Sequence, residues 1–258
     1  MTRTAWTRQE LVAAFNLYCR IPFGKISNTN PQIKSLAKQI GRTPSAVGLK
    51  LSNFASFDPA LQRRGIKGMK NAAKADKEIF NEFYTNQEEL AFESEKVLAL
   101  LEKQSIEQKY RNYLPDLDLL VGEDRESYVK TRVNQKFFRD MVLSNYQSTC
   151  AITGINIPTF LIASHIIPWA SNKAERLNPE NGLCLSALYD KAFDRGLLTI
   201  DSEYKIVLSQ TIKDYSTKEF YDIHFGKIEN QTILLPNKYL PSTTFLTWHR
   251  QNVFERHM

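Results

Sequence analysis

The chain has 258 residues, of which 42% are hydrophobic and 24% are charged, proportions typical of a globular protein. No apolar run approaches the roughly 20 residues that a membrane helix needs, so we expect no membrane span. The net charge of +6 favours a polyanionic partner. The three cysteines are far apart, which argues against a disulfide framework or a zinc knuckle. With no signal peptide visible at the start, we expect a cytoplasmic protein.

Capping signals predict three short helices in the first part of the chain. Thr7 and Glu10 have the spacing of a capping box ahead of an apolar segment with helical periodicity. Asn30-Pro31 and Thr43-Pro44 each place a capping side chain before a proline, which is favoured at the first helical position. Only a short turn separates the last two helices. We therefore predict a helix-turn-helix-like unit inside a helical domain that covers residues 1–85.

Basic residues of this domain are predicted to contact DNA. The unit is similar to the Myb and homeodomain-like triple-helix class, and glycines between the later basic residues suit close approach to a phosphate backbone. The predicted contacts are Arg42, Lys50, Arg63, Arg64, Lys67 and Lys70. The alternative is an ordinary solvated surface, since three-helix units also pack against other domains without touching DNA.

A connector and a long amphipathic helix are predicted next. Residues 86–125 are expected to form a helical connector with an irregular linker, a contact between two copies of the chain, or a helix that packs against its own chain. The long helix is predicted from Glu126 to Ser148 and opens a second domain, residues 126–258. Its basic side chains either bind phosphate or form a solvated face. They are Lys130, Arg132, Lys136 and Arg139.

The stretch that carries chemistry is residues 150–200. Its predicted order is a strand, a turn at Thr153-Gly154, a strand that ends in His165, a loop with Asn181, a helix over Leu185–Phe193 and a strand. An imidazole at a strand end can take a proton from water because its pKa lies near neutrality. A facing helix can offer ligands to a hard divalent cation. The layout therefore suits metal-assisted cleavage of a phosphodiester.

Three sequence blocks occur in this stretch in a fixed order. They are Ser164-His165-Ile166-x-Pro168-Trp169, Asn181-Gly182-Leu183-x-Leu185 and Phe193-Asp194-x-Gly196-Leu197. Together they resemble the HNH endonucleases, the ββα-metal type of nuclease, and are closest to the branch of bacterial restriction-like and defence nucleases. The resemblance implies that His165 is the general base. It also implies that Asn181 is the central asparagine, which holds the loop carrying that histidine.

One helix position departs from the pattern of that branch. The expected run is Ala-Leu-His-Asp-x-x-Phe-Asp with the histidine as metal ligand, whereas this chain has Tyr189 there. A phenol with a pKa of about 10 is a poor ligand for a divalent metal. Tyr189 is then a natural variation, an engineered inactivating change, or a sign that Asp190 or Asp194 takes over. Ser164 also stands where many HNH enzymes carry an acidic ligand.

The sequence therefore predicts an α+β protein with an N-terminal helical domain and a C-terminal ββα-metal nuclease domain. Double-stranded DNA is the expected substrate, cut in a restriction or anti-phage setting with Mg²⁺ as cofactor and Mn²⁺ or Ni²⁺ as alternatives. Arg195 is expected to clamp a phosphate or to pair with an aspartate. A homodimer would suit cleavage of both strands of a symmetric site. The competing hypothesis is a DNA-binding protein on a degenerate nuclease scaffold, with Tyr189 marking lost metal affinity.

Overall fold

The computed structural model describes residues 5–65 and 72–255. The chain divides into two compact units, Met1–Met141 and Val142–Met258. Within the described residues, the secondary structure consists of helices and two small antiparallel sheets, so the α+β prediction is confirmed. No helix in these ranges has the length and apolar character needed to cross a bilayer.

Helices are the only regular secondary structure among the described residues of the first unit. They are α1 (Arg8–Arg20), α2 (Pro31–Gln39), α3 (Pro44–Phe57), α4 (Pro59–Arg63), α5 (Lys74–Thr85), α6 (Gln87–Leu101), α7 (Ile106–Lys109) and α8 (Gly122–Asn145), which continues into the second unit. The predicted caps are present. Thr7 and Glu10 form a complete capping box before α1, and the side chains of Asn30 and Thr43 cap α2 and α3.

The core of this unit is centred on α1, whose residues Leu11–Cys19 are all buried. The ring of Phe15 packs edge-on against Phe54 of α3 at 5.1 Å between centroids, and lies 5.0 Å from Phe83 of α5. Burying each such ring stabilises the fold by roughly 1.5–3 kcal/mol. Helices α1, α2 and α5 all pack against α3, so one side of α3 belongs to this core.

Residues 86–125 differ from the predicted connector. The helix α6 packs along α1, which places it inside the first unit. The predicted linker is also packed, because Leu114 and Leu117 are buried against Val129 and Val133 of α8. The contacts divide the chain inside α8, after Met141, whereas the predicted boundaries are residues 85 and 125.

The second unit contains a compact ββα element. Strand β1 (Leu161–His165) pairs antiparallel with β2 (Gly182–Ser186), and His165 lies opposite Gly182 in the register. Helix α9 (Ala187–Asp194) follows β2 directly and packs against both strands. The side chain of His165 therefore emerges at the strand end beside this helix.

The first predicted strand of this element is wrong. Residues after Cys150 form a turn, in which Gly154 has a φ of +72° and the Cys150 amide donates to the Ile155 oxygen at 2.8 Å. The turn lies beside the hairpin, because the Ala151 amide donates to Cys184 of β2. The true partner of β1 is β2, part of which had been predicted as helix starting at Leu185.

A second hairpin and three helices complete this unit. They are β3 (Leu198–Ile200), β4 (Ile206–Leu208), α10 (Gln210–Lys213), α11 (Glu219–Tyr221) and α12 (Thr243–Asn252). Gly196 is required between α9 and β3, because its φ is +66° and a Cβ there would lie 2.2 Å from the backbone oxygen of Val253.

Candidate active site

A cleft of about 540 Å³ opens beside the ββα element. His165 of β1 lines it together with Asp190 and Asp194 of α9. The helix brings the two aspartates to the same face because they are four residues apart. Three of the residues that the sequence singled out for chemistry therefore meet in one cavity, although they come from two different elements.

The ring of His165 has a fixed orientation. Its Nε2 lies 2.9 Å from the backbone oxygen of Arg176. A carbonyl oxygen only accepts hydrogen bonds, so Nε2 carries the proton and Nδ1 is the nitrogen able to accept one. Burial lowers the pKa of His165 below its ordinary value; the Arg176 carbonyl opposes this, and the positive charge of Arg176 adds to it. The imidazole is therefore neutral near pH 7, as a general base must be.

Asn181 is buried and holds the loop that follows His165. Its Oδ1 accepts from the Ile167 amide at 2.8 Å, while Nδ2 donates to the backbone oxygens of Ile167 and Glu175, both at 3.1 Å. Its own backbone oxygen accepts from Ile166 at 2.9 Å. Asn181 does not line the cleft. It can therefore act on the chemistry only by positioning the loop around His165.

Both aspartates of the cleft are held in an unfavourable environment for negative charge. Burial raises the pKa of Asp190, and nearby Ser164 partly opposes the rise. Partial burial and the neighbouring charge of Asp190 raise the pKa of Asp194 to about 6, against the opposing charges of Lys191 and Arg195, and because Asp194 is exposed, solvent screens part of this rise. Two carboxylates at close range whose ionisation is disfavoured form a site that a cation would stabilise.

Ser164 adds an oxygen to the same cleft. Its side chain is buried, and its Oγ has no partner of good hydrogen-bond geometry among the described residues. A buried hydroxyl without a partner costs free energy, typically about 1–3 kcal/mol. It lies in the lining of the cleft next to His165 in sequence, on the side of Asp190. A ligand in the cleft is therefore positioned to satisfy it.

Tyr189 faces away from the cleft. Its side chain is buried, its hydroxyl donates to the backbone oxygen of His224 at 2.6 Å, and its ring packs against Phe225. Burial raises the pKa of its phenol, which makes the phenolate still less accessible. Position 189 is not part of the lining, so the structure does not bring this predicted metal ligand to the cleft. Asp190, one residue later, occupies the cleft.

The described residues contain no group of three or more His, Cys, Asp or Glu side chains arranged to hold a metal. The cleft offers two carboxylates and one hydroxyl. Mg²⁺ usually takes only one or two protein carboxylates and completes its shell with water and substrate phosphate. The residues present therefore fit a hard divalent cation shared with a substrate, and do not fit a closed structural zinc site.

Two of the basic residues predicted to contact DNA are used inside the first unit. Arg42 pairs with Glu10 at 2.8 Å, and its guanidinium lies 5.0 Å from the ring centroid of Trp6. Lys50 bonds both carboxylate oxygens of the fully buried Asp76, at 2.7 and 2.9 Å. Both side chains are engaged in contacts within this unit, and their predicted contact with DNA stays a prediction.

The basic residues of α8 divide in a similar way. Lys130 pairs with Glu89, and Lys136 bonds both oxygens of Asp140 at 2.6 Å. Arg132 is exposed and lies over the ring of Tyr128. Because Lys130 and Lys136 are paired with carboxylates, they are less available to bind phosphate than the sequence pattern indicated.

The remaining predicted contacts have different positions. Arg63 and Arg64 are exposed at the end of α4, Arg139 is partly buried, and Arg195 lines the cleft. The other two, Lys67 and Lys70, lie outside the described residues. Among the predicted contacts that the structure describes, only Arg195 lines the cleft.

The sequence did not single out Arg176. Arg176 supplies the carbonyl that orients His165. His249 of α12 lines the cleft, but its ring stacks on Phe193 at 3.7 Å and both ring nitrogens are bonded, to Thr199 and to the Phe193 oxygen. Burial lowers the pKa of His249 to about 4, so it stays neutral and structural. No local sequence signal distinguishes Arg176, because its contribution is a backbone oxygen.

Comparison with protein-family models matches residues 150–201 to the model described as HNH endonuclease. A search of curated proteins found no match for this chain. The matched range begins at the turn after α8, includes β1, β2, α9 and β3, and contains His165, Asn181, Asp190 and Asp194. The second unit of this chain therefore contains an HNH endonuclease domain.

Proposed function

We propose that this protein is a metal-dependent DNA endonuclease in which His165 is the general base. The observation that supports this most is the shared cleft, where the ring of His165 lies with Asp190 and Asp194 inside an HNH domain. Nδ1 of His165 takes a proton from a water molecule, and the water oxygen attacks the phosphorus of a DNA phosphodiester. The bond from phosphorus to the leaving oxygen then breaks.

The donor atoms of the cleft favour one class of cofactor. Asp190, Asp194 and Ser164 present oxygen atoms, which suit Mg²⁺ or Mn²⁺ better than Ni²⁺. When bound, such a cation would neutralise charge on the scissile phosphate and on the leaving oxygen. The two carboxylates would hold it, and the hydroxyl of Ser164 would hydrogen-bond to one of its ligands.

Positive residues at the cleft are proposed to hold the DNA backbone. Arg195 and Lys191 line the cleft and form no ion pair with any described residue. Guanidinium and ammonium groups bind phosphate oxygens and fix the register of DNA on a protein. Exposed arginines elsewhere are proposed to extend this contact. They are Arg63, Arg64 and Arg132, with Arg139, Lys67 and Lys70 as further candidates.

We further propose double-stranded DNA as the substrate and a restriction or anti-phage role in the cytoplasm, as the family resemblance implies. Two copies acting together would cut both strands. The competing hypothesis of a catalytically impaired scaffold depended on Tyr189. Because the hydroxyl of Tyr189 is bonded to His224 outside the cleft, this tyrosine gives no reason to expect lost metal binding.

Nicking of a supercoiled plasmid tests the proposal. We expect cleavage with Mg²⁺ or Mn²⁺, weaker cleavage with Ni²⁺, and at least about a 10²-fold loss of rate in His165→Ala. The matched control is His224→Ala, since the side chain of His224 is exposed and outside the cleft lining. Absence of cleavage by the wild type with every metal, while DNA binding persists, would contradict the proposal.

A further inference from the structure

Trp169 and Arg176 are joined to each other beside His165. Nε of Arg176 donates to the backbone oxygen of Trp169 at 2.7 Å. The guanidinium carbon lies 4.9 Å from the centroid of the Trp169 ring, within the range of a cation–π contact. The same indole meets the ring of His165 edge-on, with 5.6 Å between centroids and an angle of 83° between the planes.

The backbone of Arg176 completes the arrangement. Its oxygen accepts the hydrogen bond from Nε2 of His165 at 2.9 Å. One residue thus binds the histidine through its main chain and the tryptophan through its side chain. The histidine is in turn touched by both residues, one at Nε2 and the other at the ring edge.

The contact between Arg176 and Trp169 is a second restraint on the loop between β1 and β2, in addition to the hydrogen bonds of Asn181. Asn181 fixes Ile167, near the start of the loop, and the oxygen of Glu175. It makes no bond to the peptide oxygen of Arg176, which sets the direction of the histidine ring. That oxygen follows a single turn of 3-10 helix, Lys173–Glu175, a type of helix with poor hydrogen-bond geometry. The Arg176 side chain joins the residue after this turn to Trp169, four residues after the end of β1.

We propose that Trp169 and Arg176 form a clamp that positions the ring of His165 and fixes the proton on Nε2, so that Nδ1 faces the reacting water. Both act on the reaction by positioning the ring of His165, and Trp169 also lines the cleft. The inference rests on the proposed nuclease function for its kinetic consequence. The effect on the ring itself is a property of the protein without substrate or metal.

A clamp and a phosphate contact predict different losses. If Arg176 served DNA binding, its removal would weaken binding and reduce the salt dependence of affinity. If it positions the base, its removal lowers kcat and leaves KM unchanged, because only the geometry of the reacting groups is lost. A misplacement of about 1 Å costs on the order of 10²-fold in rate, so we expect a decrease of about 10- to 100-fold.

The first experiment observes the histidine directly. Protein labelled with ¹⁵N in its histidines is studied by NMR without metal or DNA, and the signals of His165 are assigned with His165→Gln. We expect the Nε2-protonated tautomer in the wild type. In Arg176→Ala and Trp169→Ala we expect a mixture of the two tautomers. Lys173→Ala is the matched control, because Lys173 is an exposed cation on the same loop.

The second experiment measures plasmid nicking by the same variants at saturating Mg²⁺. Trp169→Phe keeps an aromatic face for the guanidinium and should retain kcat within about threefold. Arg176→Ala should lose about 10- to 100-fold in kcat with KM unchanged. The dispersion of the backbone NMR spectrum shows whether Trp169→Ala folds. If it does not fold, Trp169→Phe is measured in its place.

The outcomes separate the two proposals. An unchanged tautomer in folded Arg176→Ala would overturn the clamp, as would a variant whose KM rises while kcat stays the same. A wild-type protein that cuts no DNA refutes the proposed nuclease function, while the NMR comparison still decides whether the clamp holds the ring. A loss of kcat in Lys173→Ala equal to that in Arg176→Ala would also overturn the clamp.

Discussion

The two units differ in whether their carboxylates form ion pairs within the chain. In the first unit the carboxylate of Glu95 is fully buried and pairs with Arg20 at 3.2 Å and Lys109 at 3.5 Å. Burial alone would raise its pKa, but these two cations hold the pKa of Glu95 below its ordinary value. In the cleft of the second unit, Asp190 and Asp194 form no ion pair with a described residue, and the pKa of each is raised.

This difference separates charge that supports a fold from charge kept for a ligand. A carboxylate that finds its cations within the chain adds little capacity to bind anything else. A pair of carboxylates left uncompensated costs stability, and such groups are concentrated at functional sites. The comparison therefore identifies the cleft, on energetic grounds, as the place where an external cation contributes most.

The largest expected effect on stability tests the paired side of this comparison. Glu95→Ala leaves Arg20 and Lys109 without their buried partner, so the free energy of unfolding should fall by about 3–5 kcal/mol. Urea unfolding of the full chain measures it. The matched control is Glu82→Ala, whose partner Arg8 is largely exposed, and we expect a loss below about 1 kcal/mol. Equal losses in the two variants would remove the distinction between buried and exposed pairs.

Asp194→Asn tests the uncompensated side and should have the opposite sign. The raised pKa of Asp194 means that the folded state keeps its proton to higher pH than the unfolded state. This carboxyl therefore lowers stability as pH rises from about 4 to about 6, and the full penalty is present at pH 7. After discounting for solvent screening, we expect Asp194→Asn to gain about 1 kcal/mol at pH 7 without metal.

The measurement is thermal unfolding in chelator at two pH values. The Tm should rise by roughly 2–4 °C at pH 7 and by nothing below pH 4, where both states are protonated. Affinity for Mn²⁺ should fall at the same time, which isothermal titration calorimetry measures without any cleavage assay. Asp222→Asn, an exposed aspartate outside the cleft, is the control. A destabilised Asp194→Asn with unchanged affinity for Mn²⁺ would contradict the assignment of the cleft.

Helix starts in the first unit were predictable because a cap is decided within a few residues. Thr7 needs only Glu10 three positions later, and Asn30 and Thr43 each need only the following proline and its first turn. These features depend on interactions whose partners are adjacent in sequence, so a single sequence contains the whole signal.

Strand β2 was not predictable by the same means. Its residues Gly182–Ser186 are buried on both faces, so the run lacks the alternation that indicates a strand. The roles of Arg42 and Lys50 were equally hidden, because their partners, Glu10 and Asp76, lie 32 and 26 residues away. A surface charge and an internal one look alike in sequence. Only packing between distant elements decides between them.

Tyr189→His gives the smallest expected effect on cleavage and tests whether position 189 belongs to the site. The substitution removes the hydrogen bond to His224 and the ring contact with Phe225, so the free energy of unfolding should fall by about 1 kcal/mol. The cleavage rate should stay within about twofold of wild type, because the side chain faces away from the cleft. Tyr189→Phe is the control, since it deletes only the hydroxyl. A large gain in cleavage or in Mn²⁺ affinity for Tyr189→His alone would mean that this position reaches the metal. The metal-binding face of α9 would then include position 189 as well as Asp190.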